Sequence, residues 1–159
     1  MTIDAFWQEF LACANLDSNT QYYDCSHFHY TEEWANKLLQ LVLLGQKTAT
    51  TSSLLAYEHE GSEIPKAGNY SIVTDWDGTP HCVIKTTSVT ILSFNEMTFD
   101  ICKREGEDEC LETWRDGHRD AFTEEGRELG YEFTEDMLVV FEDFEVVFIR
   151  PCEGNKPVH

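Results

Sequence analysis

The chain opens with two segments whose apolar residues recur at helical spacing. The first predicts an amphipathic helix over residues 3–14, with a buried face made of Ile3, Phe6, Trp7, Phe10 and Leu11. A polar, turn-rich stretch follows over residues 15–30. The second helix is expected to begin after Thr31, whose hydroxyl can cap it, and to stop at Gly45. Its predicted buried face holds Trp34, Leu38, Leu41 and Val42.

After Gly45 the pattern changes to that of strands. Residues 70–76 and 81–94 are rich in β-branched residues and flank Asp77-Gly78, which predicts a hairpin. Residues 98–129 carry mixed signals for one or two helices, the clearest of which contains Leu111, Trp114, Arg115 and His118. Residues 137–150 predict a long final strand.

Helices flanking mostly antiparallel strands indicate the α+β class. With about five strands and a central hairpin, closing the sheet into a small β-barrel would remove its exposed edges. The 159 residues fit one domain, and 42% hydrophobic residues are enough for a core.

The charge narrows the choice of ligand. Eleven basic residues against thirty acidic ones give a net charge of −19, and long nucleic acids bind mainly through phosphate neutralisation. Long nucleic acid is therefore an unfavourable partner. Lys47, Lys85, Arg104 and Arg115 could still converge on one cleft and serve a nucleoside, a nucleotide or a few nucleotides.

The remaining composition points to an ordinary protein of the cytoplasm. The first residues are acidic where a secretory signal needs basic ones, and the most apolar stretch, residues 38–44, is too short to span a membrane. The six cysteines form no Cys-x-x-Cys pair and are interpreted as free thiols, with Cys13, Cys82 and Cys102 buried. The sequence does not indicate an oligomeric state.

No metal and no cofactor are expected. Cys25-x-His27-x-His29 would place three ligands on one side of a strand, but the sequence offers no second cluster to complete a tetrahedral site. The acidic run over residues 105–109 is interpreted as a solvated charge run.

The segment most suggestive of chemistry is Gly45-Gln46-Lys47-Thr48-Ala49-Thr50-Thr51-Ser52-Ser53. A helix stop is followed by one lysine and five hydroxyl residues, which can present a cation, hydroxyl groups and backbone amides to a polar ligand. Thr48, Thr51 and Ser52 are candidate binding residues on this basis. The alternative is a hydroxyl-rich turn that leads into a strand, with Lys47 solvated.

These residues resemble a known family. Gly45-x-Lys47-Thr48-x-Thr50 after a helix is similar to the signature of ASCH-domain proteins, small β-barrel domains with a PUA-like fold. The resemblance continues through Pro65-x-x-Gly68, the hairpin strands, Glu105-Gly106-Glu107 and Trp114-Arg115-x-x-His118. It implies an ASCH domain over residues 31–150, an N-terminal helix and irregular extension over 1–30 as in longer bacterial members, and a C-terminal tail over 151–159.

The resemblance implies that the domain binds RNA or a modified nucleoside. A shorter bacterial branch hydrolyses the acetyl amide of acetylated cytidine with a lysine, a threonine and a glutamate, and some longer members are described as ribonucleases. Carried over by motif, these residues are Lys47, Thr50 and Glu105, with Glu107 as a rival for the carboxylate. Amide hydrolysis would suit them if Lys47, desolvated among apolar walls, acted as base toward Thr50 while the carboxylate protonated the leaving nitrogen.

Two further groups are candidates for ligand contacts. On a helix, Trp114 and His118 share a face, and Arg115 meets His118 across three residues. Trp114, His118 and Arg115 could serve base stacking, proton transfer and phosphate binding, respectively. The alternative is that Trp114 anchors the core and Arg115 pairs with nearby acids. Asp75, beside the hairpin turn, could bind the amino group of a base or simply accept turn amides.

Three classes of function follow from these observations. The first is a hydrolase of a modified nucleoside or short RNA. The second is a noncatalytic RNA- or nucleotide-binding module that uses the same cleft. The third is a regulatory or interaction domain without chemistry.

Overall fold

A computed structural model describes residues 1–150, so the predicted tail over 151–159 lies outside the described residues. The longer helices are α1 (Ile3–Cys13), α2 (Glu32–Leu43), α3 (Leu54–Glu60), α4 (Phe99–Cys102) and α5 (Leu111–Leu129). Short 3₁₀ turns cover Phe94–Glu96 and Lys103–Glu105. Helix α2 begins as predicted, because the Thr31 hydroxyl accepts a hydrogen bond from the Trp34 amide.

Five strands form one sheet: β1 (Asp24–Ser26), β2 (Ala49–Ser53), β3 (Tyr70–Thr74), β4 (Pro80–Ser93) and β5 (Leu138–Ile149). The strand order is β1-β3-β4-β5-β2, and every neighbouring pair is antiparallel except β1 and β3. The α+β class with a PUA-like, mostly antiparallel architecture is confirmed, in the form of a curled half-barrel flanked by helices.

Helices cover the sheet through three apolar clusters. Helix α1 packs on β3 and β4, α2 packs on β3, β4 and β5, and α5 packs on β2 and β5. Strand β5 contributes to all three clusters: Val139 and Phe141 belong to the α5 cluster, Phe144 belongs to the α2 cluster, and Phe148 packs against the α1 cluster. Alternating side chains thus let one strand hold helices on both faces of the sheet.

The turn-rich stretch after α1 contains a strand that the sequence pattern did not reveal. Strand β1 has only three residues, and it pairs in parallel with β3 through Asp24, Cys25 and Ser26. A strand this short shows no periodicity, and only its tertiary partner defines it. Strand β1 belongs to the same sheet as the other four strands. The domain boundary predicted at residue 30 therefore separates β1 from its own sheet.

Some expectations about burial were wrong. Trp34 is 41% exposed, and Leu41 is only partly buried, because α2 turns Ala35, Leu38, Leu39 and Val42 toward the sheet. Cys13 is exposed at the end of α1, whereas Cys82 and Cys102 are buried as predicted.

Across residues 1–150, none of the helices has the length and apolar character that crossing a membrane requires.

The packing of α1 yields a prediction about stability. Phe10 is 2% exposed and contacts the rings of Trp7, Tyr70 and Phe148. We expect Phe10→Ala to lower the free energy of unfolding by about 3–5 kcal/mol, because it leaves a cavity between α1 and the sheet. Urea unfolding measures the change.

Gln8→Ala is the matched control, since Gln8 is exposed on the same helix and surface changes stay within about 0.5 kcal/mol. If Phe10→Ala lowered the free energy of unfolding as little as Gln8→Ala, the packing of α1 would not contribute to the stability of the core.

Candidate active site

Two turns that are distant in the sequence are joined at the site. The turn after α2 meets the turn after α4: the Thr48 amide donates to the Arg104 carbonyl at 3.0 Å, and the Gln46 side-chain amide donates to the Gly106 carbonyl at 2.8 Å. The Thr48 hydroxyl also donates to the Arg104 carbonyl. These bonds place Lys47 directly beside Glu105 and Glu107.

Gly106 makes this approach possible. Its φ is +71°, and a Cβ atom at this position would lie 2.2 Å from the Gln46 carbonyl oxygen. Any other residue would therefore be strained in its own backbone and would also push the two turns apart. The Glu-Gly-Glu order thus holds two carboxylates on either side of a backbone contact that requires glycine.

Lys47 is 1% exposed and is surrounded by oxygen atoms. Its Nζ donates to the Ala49 carbonyl at 2.7 Å and to Glu107 Oε2 at 2.5 Å, and it lies 3.6 Å from Glu105 Oε1. The predicted burial of Lys47 is present, but two carboxylates stand where apolar walls were expected. Because its Nζ faces acceptor oxygens, this lysine is placed to donate hydrogen bonds and to supply positive charge.

Glu105 is a fully engaged carboxylate. It is 2% exposed, and its Oε2 accepts from the Trp114 indole at 2.5 Å and from the Thr51 hydroxyl at 2.9 Å. Its Oε1 faces Lys47 Nζ and His118 Nε2, each at 3.6 Å. Burial alone would raise the pKa of Glu105, but the charges of Lys47 and His118 and the hydrogen bonds lower it to about 2.

His118 completes this buried network, with an acceptor facing each of its ring nitrogens. Its Nδ1 lies 2.9 Å from the Trp114 carbonyl, which can only accept, so Nδ1 carries a proton. Its Nε2 faces the Glu105 carboxylate, which also accepts only. Although burial lowers the pKa of His118, the hydrogen bond and the charge of Glu105 raise it above its usual value.

Glu107 has a different environment from Glu105. It is 18% exposed, and burial together with the nearby charge of Glu105 raises its pKa, while Lys47 acts in the opposite direction. A raised pKa and access to a cavity are both features of carboxyl groups that transfer protons. Of the two rival carboxylates, Glu107 has the environment of a proton-transfer group.

The network forms part of the wall of a cavity of about 840 Å³. Lys47, Thr50, Glu105, Glu107 and His118 all line it, so a lysine, a hydroxyl and two carboxylates from distant parts of the chain reach one hollow. This volume is in the range of small-molecule sites.

The candidate binding residues divide between the cavity and other surfaces. Thr51 and Ser52 line the cavity, whereas Thr48 is exposed and binds the Arg104 carbonyl. Asp75 lies outside the lining, where it accepts from the Thr79 amide and pairs with His81 at 3.0 Å. It therefore holds its own hairpin turn.

The cations predicted to converge do not do so. Of Lys47, Lys85, Arg104 and Arg115, only Lys47 lines the cavity. Arg104 pairs with Asp143 at 2.8 Å on the outside of the turn. Trp114 is a fully buried core residue, which agrees with the alternative that it anchors the core. Its ring stacks on that of His118, with ring centroids 4.3 Å apart.

Sequence reasoning missed several residues of the cavity. Asp24, Tyr23, Tyr57 and Glu142 line it, and Glu142 lies opposite Thr50 in the β2–β5 register. Burial raises the pKa of Glu142, which accepts a hydrogen bond from Thr86 at 2.5 Å. The sequence did contain a signal for Glu142, since Glu142 and Asp143 interrupt an otherwise apolar run, Phe141-Glu142-Asp143-Phe144.

The metal question can be addressed within residues 1–150. No three histidine, cysteine or acidic side chains there are arranged to hold a metal ion. Cys25 and His27 do not share a regular strand with His29, since β1 ends at Ser26 and His29 has a φ of +65°.

Gly106 gives a test of the junction between the turns. We expect Gly106→Ala to destabilise the protein by at least about 1–3 kcal/mol, because it adds left-handed strain and a backbone clash. Gly117→Ala is the control: Gly117 lies inside α5 with open space around it, and alanine there should stabilise by about 0.5–1 kcal/mol. Thermal unfolding measures both, and equal effects would contradict the role given to Gly106.

Glu105 gives a pH-dependent prediction. Because its folded pKa of about 2 lies below the usual 4.5, its ionised form stabilises the fold above pH 4.5. That stability, about 3 kcal/mol in order of magnitude, is lost as the pH falls toward 2. The stability difference between wild type and Glu105→Gln should therefore shrink from pH 6 to pH 2.5 in urea unfolding.

Glu109→Gln is the control for this comparison, since Glu109 is exposed on the same turn. A difference between wild type and Glu105→Gln that stayed constant across this pH range would contradict the account of Glu105.

Comparison with solved structures supports a close relationship to two bacterial proteins. A protein of Enterococcus faecalis V583 is 38% identical, with a TM-score of 0.84 over 91% of this chain and 87% of that one. An ASCH domain of Lactobacillus crispatus JV V101 is 33% identical, with a TM-score of 0.80 over 92% of this chain and 95% of that one. No curated protein matches the chain.

The family model described as the ASCH domain matches residues 24–148, which begin at β1 and end within β5. The matched segment contains the sheet, the two joined turns and α5, and both bacterial structures share its fold. The chain belongs to the ASCH-domain family.

Proposed function

We propose that this protein is a hydrolase that binds a nucleobase-bearing ligand in the cavity and cleaves an acyl amide on it, as in acetylated cytidine. The observation that carries the proposal is the buried Lys47 ammonium, which holds the Glu107 carboxylate at 2.5 Å on the wall of a cavity that Thr50 also lines. Membership of a family linked to RNA binding supports a nucleobase as the ligand.

Glu107 acts as the proton-transfer residue. Its raised pKa and partial exposure let it take a proton from a water molecule and return it to a leaving nitrogen. Glu105 is unsuited to this task, because its pKa is held near 2 and its oxygens already accept from Trp114 and Thr51. Glu105 is a positioning residue that fixes Lys47 and His118.

Lys47 supplies positive charge to the reaction. When water adds to the acyl carbon, the carbonyl oxygen becomes an oxyanion, and a fixed ammonium nearby stabilises that charge. Lys47 is held in place by Ala49 and the two carboxylates. This role replaces that of a base toward Thr50, because the Lys47 Nζ already faces three oxygen acceptors.

The reaction balances with water as the only co-reactant. Glu107 takes one proton of the water, and the resulting hydroxide adds to the acyl carbon. The tetrahedral intermediate then collapses, the carbon–nitrogen bond breaks, and the proton on Glu107 passes to the departing exocyclic nitrogen. The products are a carboxylic acid and the free amino nucleobase. The Thr50 hydroxyl, on the cavity wall, orients the acyl group or the water.

The test is release of cytidine from acetylcytidine. We expect Glu107→Gln to lower kcat by about 10²–10⁴-fold and Lys47→Met by about 10²–10³-fold. Glu109→Gln, an exposed neighbour with the same change of charge, should retain activity. Chromatographic separation of cytidine from acetylcytidine gives the rate.

Binding must be measured beside turnover. Ligand-dependent thermal stabilisation without cytidine release would contradict the hydrolase and leave the noncatalytic binding module. A short RNA incubated in parallel tests for strand cleavage. If the wild-type protein neither released cytidine nor was stabilised by acetylcytidine or cytidine, the nucleobase ligand would be wrong.

A further inference from the structure

The charges that line the cavity are strongly unequal. Among its described lining residues there are nine carboxylates, one lysine, three histidines and no arginine. This imbalance is local, and it goes beyond the net charge of the chain, because it faces the space in which a ligand would lie. A phosphate group that entered the cavity would meet mostly like charge.

The cationic groups of the cavity already have anionic or carbonyl partners. Lys47 is held by Ala49, Glu105 and Glu107, and His118 lies between the Trp114 carbonyl and Glu105. The Nδ1 atom of His27 lies 3.2 Å from the Phe28 carbonyl oxygen. Burial and the charge of His118 lower the pKa of His29, which favours its neutral form. A phosphate would have to displace one of these partners in order to gain a cation.

Six of the carboxylates form two groups, in addition to Glu105, Glu107 and Glu125. Glu60, Glu63 and Glu128 are exposed at the rim, as is Glu124, which pairs with Arg127. Asp24 and Glu142 lie on the sheet side, where they accept from Ser26 at 2.7 Å and from Thr86 at 2.5 Å. A ligand in the cavity therefore has acidic side chains on both the helix side and the sheet side.

Ionised carboxylates only accept hydrogen bonds, so they match the hydroxyl and amino donors of a sugar and a nucleobase. A nucleoside offers several such donors and carries no charge. A nucleotide adds one or two negative charges to the same donors. The lining therefore distinguishes between two ligands that differ only in phosphate.

We propose that the cavity selects the unphosphorylated nucleoside and excludes nucleotides and phosphate-bearing RNA ends through the charge of its lining. The inference rests on the proposed function, since it specifies the ligand class of the same cavity. It also places the reaction in a sequence. The class of reaction that supplies the substrate is hydrolysis of a phosphate ester, which releases the modified nucleoside from its nucleotide.

The experiment compares acetylcytidine with acetylcytidine 5′-monophosphate. We expect the kcat/KM of the wild-type protein to be at least about 100-fold higher for the nucleoside. Binding of the products cytidine and cytidine 5′-monophosphate, measured by calorimetry, should show the same preference independently of turnover. Raising the salt concentration should reduce both the ratio of kcat/KM between the two substrates and the ratio of affinity between the two products, because salt screens exposed charges.

Variants test whether the rim charges cause the preference. The triple variant Glu60→Gln, Glu63→Gln and Glu128→Gln removes three charges at the rim, and we expect it to narrow the ratio by about tenfold. The control Glu112→Gln, Asp120→Asn and Glu132→Gln removes three charges from exposed residues that do not line the cavity. It should leave the ratio unchanged.

The outcomes separate the two proposals. If the wild-type kcat/KM for the monophosphate equalled or exceeded that for the nucleoside, the proposed exclusion of phosphate would be wrong. The proposed hydrolase activity would still stand. If the rim variant and the control variant reduced the nucleoside-to-monophosphate ratio of kcat/KM equally, the preference could not be assigned to the cavity lining. If calorimetry detected binding of neither product and neither substrate turned over, the proposed function would fail and this inference with it.

Discussion

The candidate site depends on one contact between two turns, in which the residues after α2 meet the residues after α4. Backbone hydrogen bonds from Thr48 to Arg104 and the side-chain bond from Gln46 to Gly106 bring together segments about sixty residues apart. Gly106 allows that approach, because a side chain there would collide with the Gln46 carbonyl. Without this junction Lys47 would have no carboxylate beside it, and the cavity wall would lose its reactive groups.

Burying several charges together is costly unless each is paired. Here every ion has a partner: Lys47 contacts Glu105 and Glu107, and His118 faces Glu105. The two carboxylates differ in environment. Glu105 is surrounded by hydrogen-bond donors, whereas Glu107 pairs with Lys47 and is partly exposed to the cavity. Glu105 and Glu107 flank the same glycine, yet the pKa of Glu105 is lowered and the pKa of Glu107 is raised.

The charge of the whole chain and the charge of the cavity point the same way. A net charge of −19 already disfavours long nucleic acid, and nine carboxylates against one lysine line the cavity. Side chains of the PUA-like sheet and of α5 form this lining. The proposed preference for a free nucleoside over a polymer depends on this shared sign of charge.

The sequence alone determined helices α1, α2 and α5, the hairpin, the α+β class and the Lys47–Thr50 and Glu105–Glu107 motifs, because these depend on local periodicity, caps and glycine positions. It did not indicate α3, which lies where a strand-like pattern was expected. It could not determine β1, whose three residues are a strand only through β3, or the exposure of Trp34, which depends on how α2 rotates against the sheet. It favoured Glu105 over its rival Glu107 as the functional carboxylate. Only the tertiary structure showed that their environments differ, and only it brought Glu142 and Asp24 to the cavity, because burial and charge pairing are properties of residues brought together in space.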